Sequence, residues 1–190
     1  QTLDDLSGHT VSIGAEESGT ERNATQILEF AGMPSSLVAT KNLDYIEATK
    51  ELKAGDIDAF FCTAGLTTTV IDELSKECDI RLIPLTDTVI SKMLESSLAY
   101  TSEVIPAGTY TGQTTDISTI GVKSVLITKA DVSDDTIEQL TSLLFEKENE
   151  ISYSNSLKLE LTYDFATDDI PIPFHDGAKR YYKACGYSTN

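Results

Sequence analysis

The sequence predicts an α/β fold in which a parallel-rich sheet is flanked by helices. Two patterns in the first half of the chain support this prediction. Short apolar runs alternate with segments whose apolar residues recur at helical spacing, and glycines stand where these helical segments end. Repeated strand–helix–strand units of this kind produce parallel sheets covered by helices.

The first half contains four predicted strands, at residues 11–13, 38–40, 57–61 and 80–85. Helices are predicted between them from three sets of apolar positions, namely Ala24, Ile27, Leu28 and Ala31, then Tyr45, Ala48, Thr49 and Leu52, then Val70, Ile71 and Leu74. Gly32 and Gly55 follow the first two sets, and glycine in this position is typical of a helix end. The first half therefore predicts three consecutive strand–helix–strand units.

The second half has a different organisation. Its predicted elements are a helix carrying Val89, Ile90, Met93 and Leu94 that ends near Tyr100, a long non-helical stretch (101–118), a strand (120–128), a helix from Ser133 to about Glu150, and a final helix that stops at Gly186. Ser133, followed by Asp134 and Asp135, is typical of a helix start. Long non-helical stretches tend to connect lobes or to carry function.

The composition limits the class of partner. Asp and Glu total 31 residues and Lys and Arg total 14, so the formal net charge is −17. A chain this acidic repels phosphate backbones and anionic membrane surfaces, which disfavours binding to nucleic acids or docking on such membranes. Hydrophobic residues make up 40% of the chain, enough for a buried core, and no apolar run approaches the ~20 residues of a membrane span.

The loop that follows the first predicted strand is the main candidate binding site. It contains Gly14, Ser18, Gly19 and Thr20 and leads directly into a predicted helix. Ligands of open α/β sheets bind beyond the carboxyl ends of the strands, and the N–H groups of a helix N-terminus attract carboxylates and phosphates. The two hydroxyls add donors, and Gly19 lets a ligand approach the backbone. The alternative interpretation is that Ser18 or Thr20 only caps the helix.

Two further loops are candidates for contact with the same ligand. Thr63, Ala64 and Gly65 follow the third predicted strand and leave a parallel sheet at the same edge. Their small side chains suit the close approach of a ligand, but a plain strand-to-helix turn explains them equally well. Tyr110, in the long non-helical stretch, either offers its phenol hydroxyl to a ligand or packs under its own loop.

The sequence lacks signatures of catalysis and of metal binding. It contains no Gly-x-Ser-x-Gly, His-x-x-x-His or Cys-x-x-Cys motif, and no glycine motif for phosphate or dinucleotide binding. His9 precedes the first predicted strand, and His175 precedes the final helix, where an imidazole most often caps the chain. We therefore expect no enzymatic activity and no cofactor. A pair of carboxylates acting as acid and base remains the open alternative.

The three cysteines, Cys62, Cys78 and Cys185, are too few and too scattered for a disulfide framework or a metal cluster. A helix of about ten residues between Cys62 and Cys78 would separate them by ~15 Å, whereas a disulfide requires Cα atoms within about 7 Å. We expect three free thiols, buried or half-buried, that act as small apolar residues.

Six stretches of the sequence, in this order, resemble one known family. They are DLSGHTVSIG (5–14), SGTE (18–21), GDIDAFF (55–61), CDIRLIPL (78–85), IPAGTYTGQ (105–113) and IPFHDGA (172–178). The first two resemble type II periplasmic solute-binding proteins in general, and the set of six resembles the TAXI family, the TRAP-associated extracytoplasmic immunogenic proteins. Thr111 and Asp176 stand where that family often has proline.

The resemblance implies a type II periplasmic-binding-protein-like fold, with one complete lobe and the C-terminal part of the other. Residues 1–118 correspond to the second lobe with its crossover loop, and residues 119–190 to the C-terminal part of the first lobe. The family's N-terminal lobe segment is not among these residues. Its absence would uncover apolar faces on the last two predicted helices, so we also expect self-association.

The resemblance further implies an extracytoplasmic receptor, periplasmic or anchored at the cell surface. It would capture a small carboxylate solute such as glutamate and deliver it to the membrane subunit of a TRAP transporter, by closure of two lobes. Residues 18–20, with Gly14, would hold the anionic group, residues 63–65 would form a neighbouring wall, and Tyr110 would reach in from the crossover loop. The alternatives are a small α/β enzyme acting on an anionic substrate and the ligand-sensing domain of a regulator.

Overall fold

The structure, a computed structural model, describes residues 2–146 and 161–189. The chain divides into two compact units, Gln1–Gly121 and Val122–Asn190, here called the first and second units. No helix among the described residues is long and apolar enough to cross a membrane.

The first unit is built on a parallel sheet flanked by helices, so the predicted fold class is confirmed. In its described residues the sheet has the order β2–β1–β3, from strands β1 (Thr10–Ser12), β2 (Ala39–Lys41) and β3 (Ala59–Phe60). Val11 of the central strand pairs with Thr40 on one side and with Ala59 on the other, both in parallel register. A short 3₁₀-helix (Leu3–Leu6) precedes β1.

The helices of the first unit are α1 (Gly19–Phe30), α2 (Tyr45–Ala54), α3 (Thr69–Glu77) and α4 (Asp87–Ser96). They correspond to the four helices predicted there from apolar spacing. α2 begins with a capping box, in which the Asp44 side chain accepts from the Glu47 N–H and the Glu47 side chain accepts from the Asp44 N–H. It ends at Gly55, whose φ of +79° favours glycine, as the sequence predicts.

The core of the first unit lies between its sheet and the helices α1 and α4. Val11, Ala24 and Met93 have no exposed surface, and they represent the strand, α1 and α4 in one continuous apolar cluster. These three elements pack on one another and hold the sheet in place. Because its strands are parallel, their carboxyl ends lie at one edge of the sheet.

One predicted strand of the first unit is wrong, and the predicted non-helical stretch 101–118 contains strands. Residues 80–85 do not form a strand, because Leu85 makes only a single backbone bridge to the carbonyl of Ser118 (2.9 Å), which is not a ladder. The stretch 101–118 is not wholly irregular either. β4 (Tyr100–Ile105) and β5 (Ile117–Val122) are neighbours in a two-stranded sheet.

In the second unit, described to residue 146 and again from residue 161, α5 (Asp134–Glu146) packs on α7 (Asp176–Ala184), and a short α6 (Tyr163–Thr167) precedes α7. The predicted helix starts are confirmed: Ser133 Oγ accepts from the Thr136 N–H at 3.2 Å, and His175 Nδ1 accepts from the Gly177 N–H at 3.1 Å. The predicted continuation of the first of these helices from 147 to 150 lies outside the described residues.

Aromatic rings fill the interior of the second unit. Phe145 stacks on Tyr163 with ring centroids 4.4 Å apart, and Tyr163 stacks on Tyr187 at 4.8 Å. Tyr182 meets Phe145 edge-on at 6.0 Å and is buried. These contacts join α5, α6 and α7 to the chain that follows α7.

Two predictions for the second half of the chain need correction. The strand predicted at 120–128 ends at residue 122, and Leu126 and Ile127 beyond it are 69% and 73% exposed. Cys185 is exposed and not part of a buried face, because it lies at the C-terminal cap of α7 and not within the helix. Cys62, Cys78 and Cys185 are all free thiols.

Candidate functional site

Three loops of the first unit leave the parallel sheet at its carboxyl edge. One follows β1 and runs to Ser18, the second follows β2 and runs to Asp44, and the third follows β3 and runs from Phe61 to Thr68. This edge is where open α/β sheets bind their ligands. We call the three segments the β1 loop, the β2 loop and the β3 loop.

The β1 loop closes tightly onto the start of α1. Ser18 is the N-cap, and its Oγ accepts from the Glu21 N–H at 3.1 Å, so the predicted capping is confirmed. Gly14 has φ +99°, and a Cβ at this position would lie 2.7 Å from the Cβ of Thr20. The loop can therefore pass this close to α1 only because residue 14 has no side chain.

The β2 loop is attached to the β1 loop by one side chain that the sequence analysis did not select. Asn42 Nδ2 donates to the carbonyl of Gly14 at 3.1 Å and to Oε1 of Glu21 at 2.7 Å. The other carboxylate oxygen of Glu21 accepts from the Glu17 N–H at 2.6 Å. Glu21 therefore serves as a fixed acceptor inside the loop network.

The β3 loop is attached to α1 and α2. Asn23 Nδ2 donates to Oγ1 of Thr63 at 3.3 Å, and the phenol of Tyr45 contacts both backbone polar atoms of Thr63, with N···O distance 3.1 Å and O···O distance 2.9 Å. Tyr45 also lies 2.8 Å from Oγ1 of Thr20. The structure thus brings the predicted residues Thr20 and Thr63 together through Tyr45.

Thr63, Ala64 and Gly65 are exposed, so the β3 loop presents small side chains and backbone to solvent beside the start of α1. At that start, Gly19 has open space around it, with no atom within 4 Å of where a Cβ would be. Ser18 Oγ accepts from Glu21, and its own proton has no acceptor among the described contacts. Ser18 O–H and the first N–H groups of α1 are therefore donors suited to an anion.

Tyr110 packs under the β3 loop. Its hydroxyl donates to the carbonyl of Leu66 and accepts from the Thr68 N–H at 3.4 Å, and the residue is only 7% exposed. Of the two alternatives predicted for Tyr110, ligand contact or packing, these contacts correspond to packing. They make Tyr110 a support for the β3 loop, with no described contact to the β1 loop.

Cys62 is the one cysteine at the candidate site. Burial raises the pKa of its thiol to about 11, and a hydrogen bond with Tyr45 opposes that rise. The thiol is therefore protonated at neutral pH and a poor nucleophile. Within the described residues no three His, Cys, Asp or Glu side chains are grouped so as to hold a metal ion.

The stability of the chain is expected to fall as the pH rises from about 9 to about 11. In that range the unfolded Cys62 thiol loses its proton while the folded thiol keeps it, which favours unfolding by up to about 2 kcal/mol. Cys62→Ala should make the pH dependence of urea unfolding shallower. An equal slope in wild type and Cys62→Ala would contradict the assignment.

Asn23, Asn42 and Tyr45 are site residues that the sequence analysis missed. A usable signal was present for two of them, because Asn42 and Tyr45 follow the second predicted strand and so belong to the same sheet edge as Ser18. The helical spacing of Tyr45, however, predicts only that it belongs to an apolar helix face. Asn23 gives no such signal, since its position within α1 is that of an ordinary polar helix residue.

The sequence model of the NMT1-like family matches residues 1–186 and so covers both units. NMT1-like proteins are periplasmic-binding-type domains, which are generally binding domains and not enzymes. The parallel sheet and the three joined loops at its carboxyl edge are what a solute-binding-type domain requires. Because the match extends over far more than half of the chain, the protein belongs to the NMT1-like family.

Proposed function

We propose that this chain is an extracytoplasmic solute receptor of the TAXI type, which captures a small carboxylate such as glutamate or a related organic acid for a TRAP-type transporter. The single observation that supports a carboxylate ligand is the start of α1 beside the β3 loop. There the Ser18 hydroxyl and the N–H groups of Gly19 and Thr20 are donors without described acceptors.

Two physical effects favour an anion at this place. The first N–H groups of a helix have no partner within the helix, and the helix dipole makes this end electropositive. A carboxylate can accept both from these groups and from the Ser18 hydroxyl, and hydrogen bonds to a charged group are stronger than neutral ones. The exposed residues 63–65 would bound the ligand on the opposite side.

The remaining parts of the proposal rest on the resemblance to the TAXI family. Residues 1–118 would be one lobe with its crossover loop, and residues 119–190 the C-terminal part of the other lobe. The partner would be the membrane subunit of the transporter, and the ligand would be released to it unchanged. Self-association through uncovered apolar surface, for example at the exposed Leu140 and Leu143 of α5, is part of the same proposal.

Calorimetric titration with L-glutamate and with dicarboxylates tests this function. We expect saturable binding, and we expect Ser18→Ala to weaken it about tenfold, the effect of one hydrogen bond to a charged group. Thr86→Ala is the matched control, because Thr86 caps α4 through the Val89 N–H in the same way but lies outside the three loops. It should lower stability without changing affinity.

Three results would contradict the proposal. Chemical conversion of the added solute would favour an enzyme. An equal loss of affinity in Ser18→Ala and Thr86→Ala would show that the effect of Ser18 comes only from helix stability. The absence of binding for every carboxylate tested would remove the proposed ligand class.

A further inference from the structure

One phenol hydroxyl at the candidate site contacts both α1 and the β3 loop. Tyr45 is the first residue of α2, so the end of β2 places it at the carboxyl edge of the sheet. Its Oη lies 2.8 Å from Oγ1 of Thr20, 2.9 Å from the Thr63 carbonyl oxygen and 3.1 Å from the Thr63 nitrogen. All three distances are those of hydrogen bonds.

The direction of each of these bonds follows from the number of protons available. A phenol has one proton to donate. The Thr63 carbonyl can only accept, so Tyr45 donates to it, and the Thr63 N–H can only donate, so Tyr45 accepts from it. The contact between Tyr45 and Thr20 then requires a proton from Thr20. Because Thr20 is buried, with 7% of its surface exposed, its hydroxyl has little contact with solvent as an alternative.

From this arrangement we propose that Tyr45 is a positioning residue of the solute site. It locks the β3 loop to the first turn of α1 and accepts a hydrogen bond from the Thr20 hydroxyl. Thr20 therefore offers a ligand only an acceptor. The effect of this lock on solute binding rests on the proposed function. The lock itself is a property of the chain without ligand and can be measured separately.

The lock explains how a loop of exposed small residues keeps a defined position. Residues 63–65 make little apolar contact, because they are exposed and have small side chains. The Thr63 backbone nevertheless has both polar atoms bonded to one rigid side chain. The β3 loop is therefore held at the side of α1 before any solute arrives.

Amide hydrogen exchange at Thr63 tests the lock without a ligand. In wild type the Thr63 N–H is bonded to Tyr45, so we expect it to exchange more slowly than the same amide in Tyr45→Phe, by about tenfold. Thr49→Val is the matched control, because it removes a hydroxyl from the same helix as Tyr45. Thr49 Oγ1 donates to the Ile46 carbonyl at 2.9 Å and makes no described contact with the β3 loop. That control should leave Thr63 exchange within about twofold of wild type.

A second variant covers the case in which Tyr45→Phe does not fold. Thr20→Val keeps the shape of the side chain and removes the hydroxyl that donates a hydrogen bond to Tyr45. It should therefore also accelerate Thr63 exchange. Unchanged exchange at Thr63 in either folded variant, with amides of β1 still protected, would overturn the lock. Equal acceleration in Thr49→Val would overturn it too, because the effect would then belong to α2 as a whole.

Titration with L-glutamate tests the consequence for binding. Tyr45→Phe and Thr20→Val should each weaken binding about three- to tenfold, and the double variant should be no weaker than the single ones, because both remove the same lock. Additive losses would instead show that Thr20 donates to the solute directly. That result would overturn the proposal that Thr20 donates its hydrogen bond to Tyr45. If wild type does not bind glutamate, the proposed ligand is wrong, and Thr63 exchange still decides whether the lock exists.

Discussion

Gly14→Ala should destabilise the first unit by about 3 kcal/mol, one of the two largest effects that the structure predicts. Two costs combine at this residue. A side chain at φ +99° is strained, and a Cβ there would lie 2.7 Å from the Cβ and 2.8 Å from the Cγ2 of Thr20. Because Thr20 is buried at the start of α1, it has little room to move, and overpacking of this kind costs about 1–3 kcal/mol beyond the strain.

Gly8→Ala separates these two costs. Gly8 has a similar φ of +81°, but no atom lies within 4 Å of where its Cβ would be. Its substitution should therefore cost only the backbone strain, about 1 kcal/mol. Urea unfolding of both variants gives the comparison. Equal losses of stability in the two variants would show that the contact between Gly14 and Thr20 is not close enough to matter.

Gly177→Ala should have a comparable effect on the second unit, about 3 kcal/mol. A Cβ at Gly177 would lie 2.2 Å from the carbonyl oxygen of Asp134, which is backbone and cannot rotate away. Since Gly177 is in α7 and Asp134 begins α5, the two helices would have to separate. Their separation would also disturb the ring contact between Phe145 and Tyr182.

Near-ultraviolet circular dichroism reports this change directly, because the chain has no tryptophan and four of the seven tyrosines that the structure describes lie in the ring cluster of the second unit. We expect Gly177→Ala to lose much of the tyrosine signal. Gly19→Ala, at the start of α1 with nothing within 4 Å of its Cβ, should keep both signal and stability. A full tyrosine signal in Gly177→Ala would contradict the close approach of α5 and α7.

The helices of the first unit could be predicted from the sequence because their determinants are local. The apolar spacing of α1 and α2 and the stop at Gly55 involve residues within a few positions of each other. Strands depend on partners far along the chain, which spacing does not reveal. Residues 80–85 have strand-like composition yet make one backbone bridge, whereas β4 has a mixed sequence with no buried residue and is paired with β5.

The position of the candidate site was predictable, but its internal connections were not. Strand ends and glycines indicate that Ser18 and Thr63 share one edge of a parallel sheet. The network between them depends on the hydroxyl of Tyr45, whose helix spacing suggests only packing. Tyr110 shows the opposite case, since a phenol in a long loop suggests ligand contact and the structure uses it beneath the β3 loop.

The range of the hydrogen bonds among the three loops has a consequence for the order of folding. Thr63 is 18 residues from Tyr45 and 40 from Asn23, and Gly14 is 28 from Asn42. Contacts of this range form only after long segments of chain have been closed into loops, so they belong to the late steps of folding. A nascent chain that has not yet reached β3 has no part of the Thr63 wall. Affinity for a solute therefore appears together with the assembled sheet, and a bound solute in turn stabilises the whole first unit by mass action.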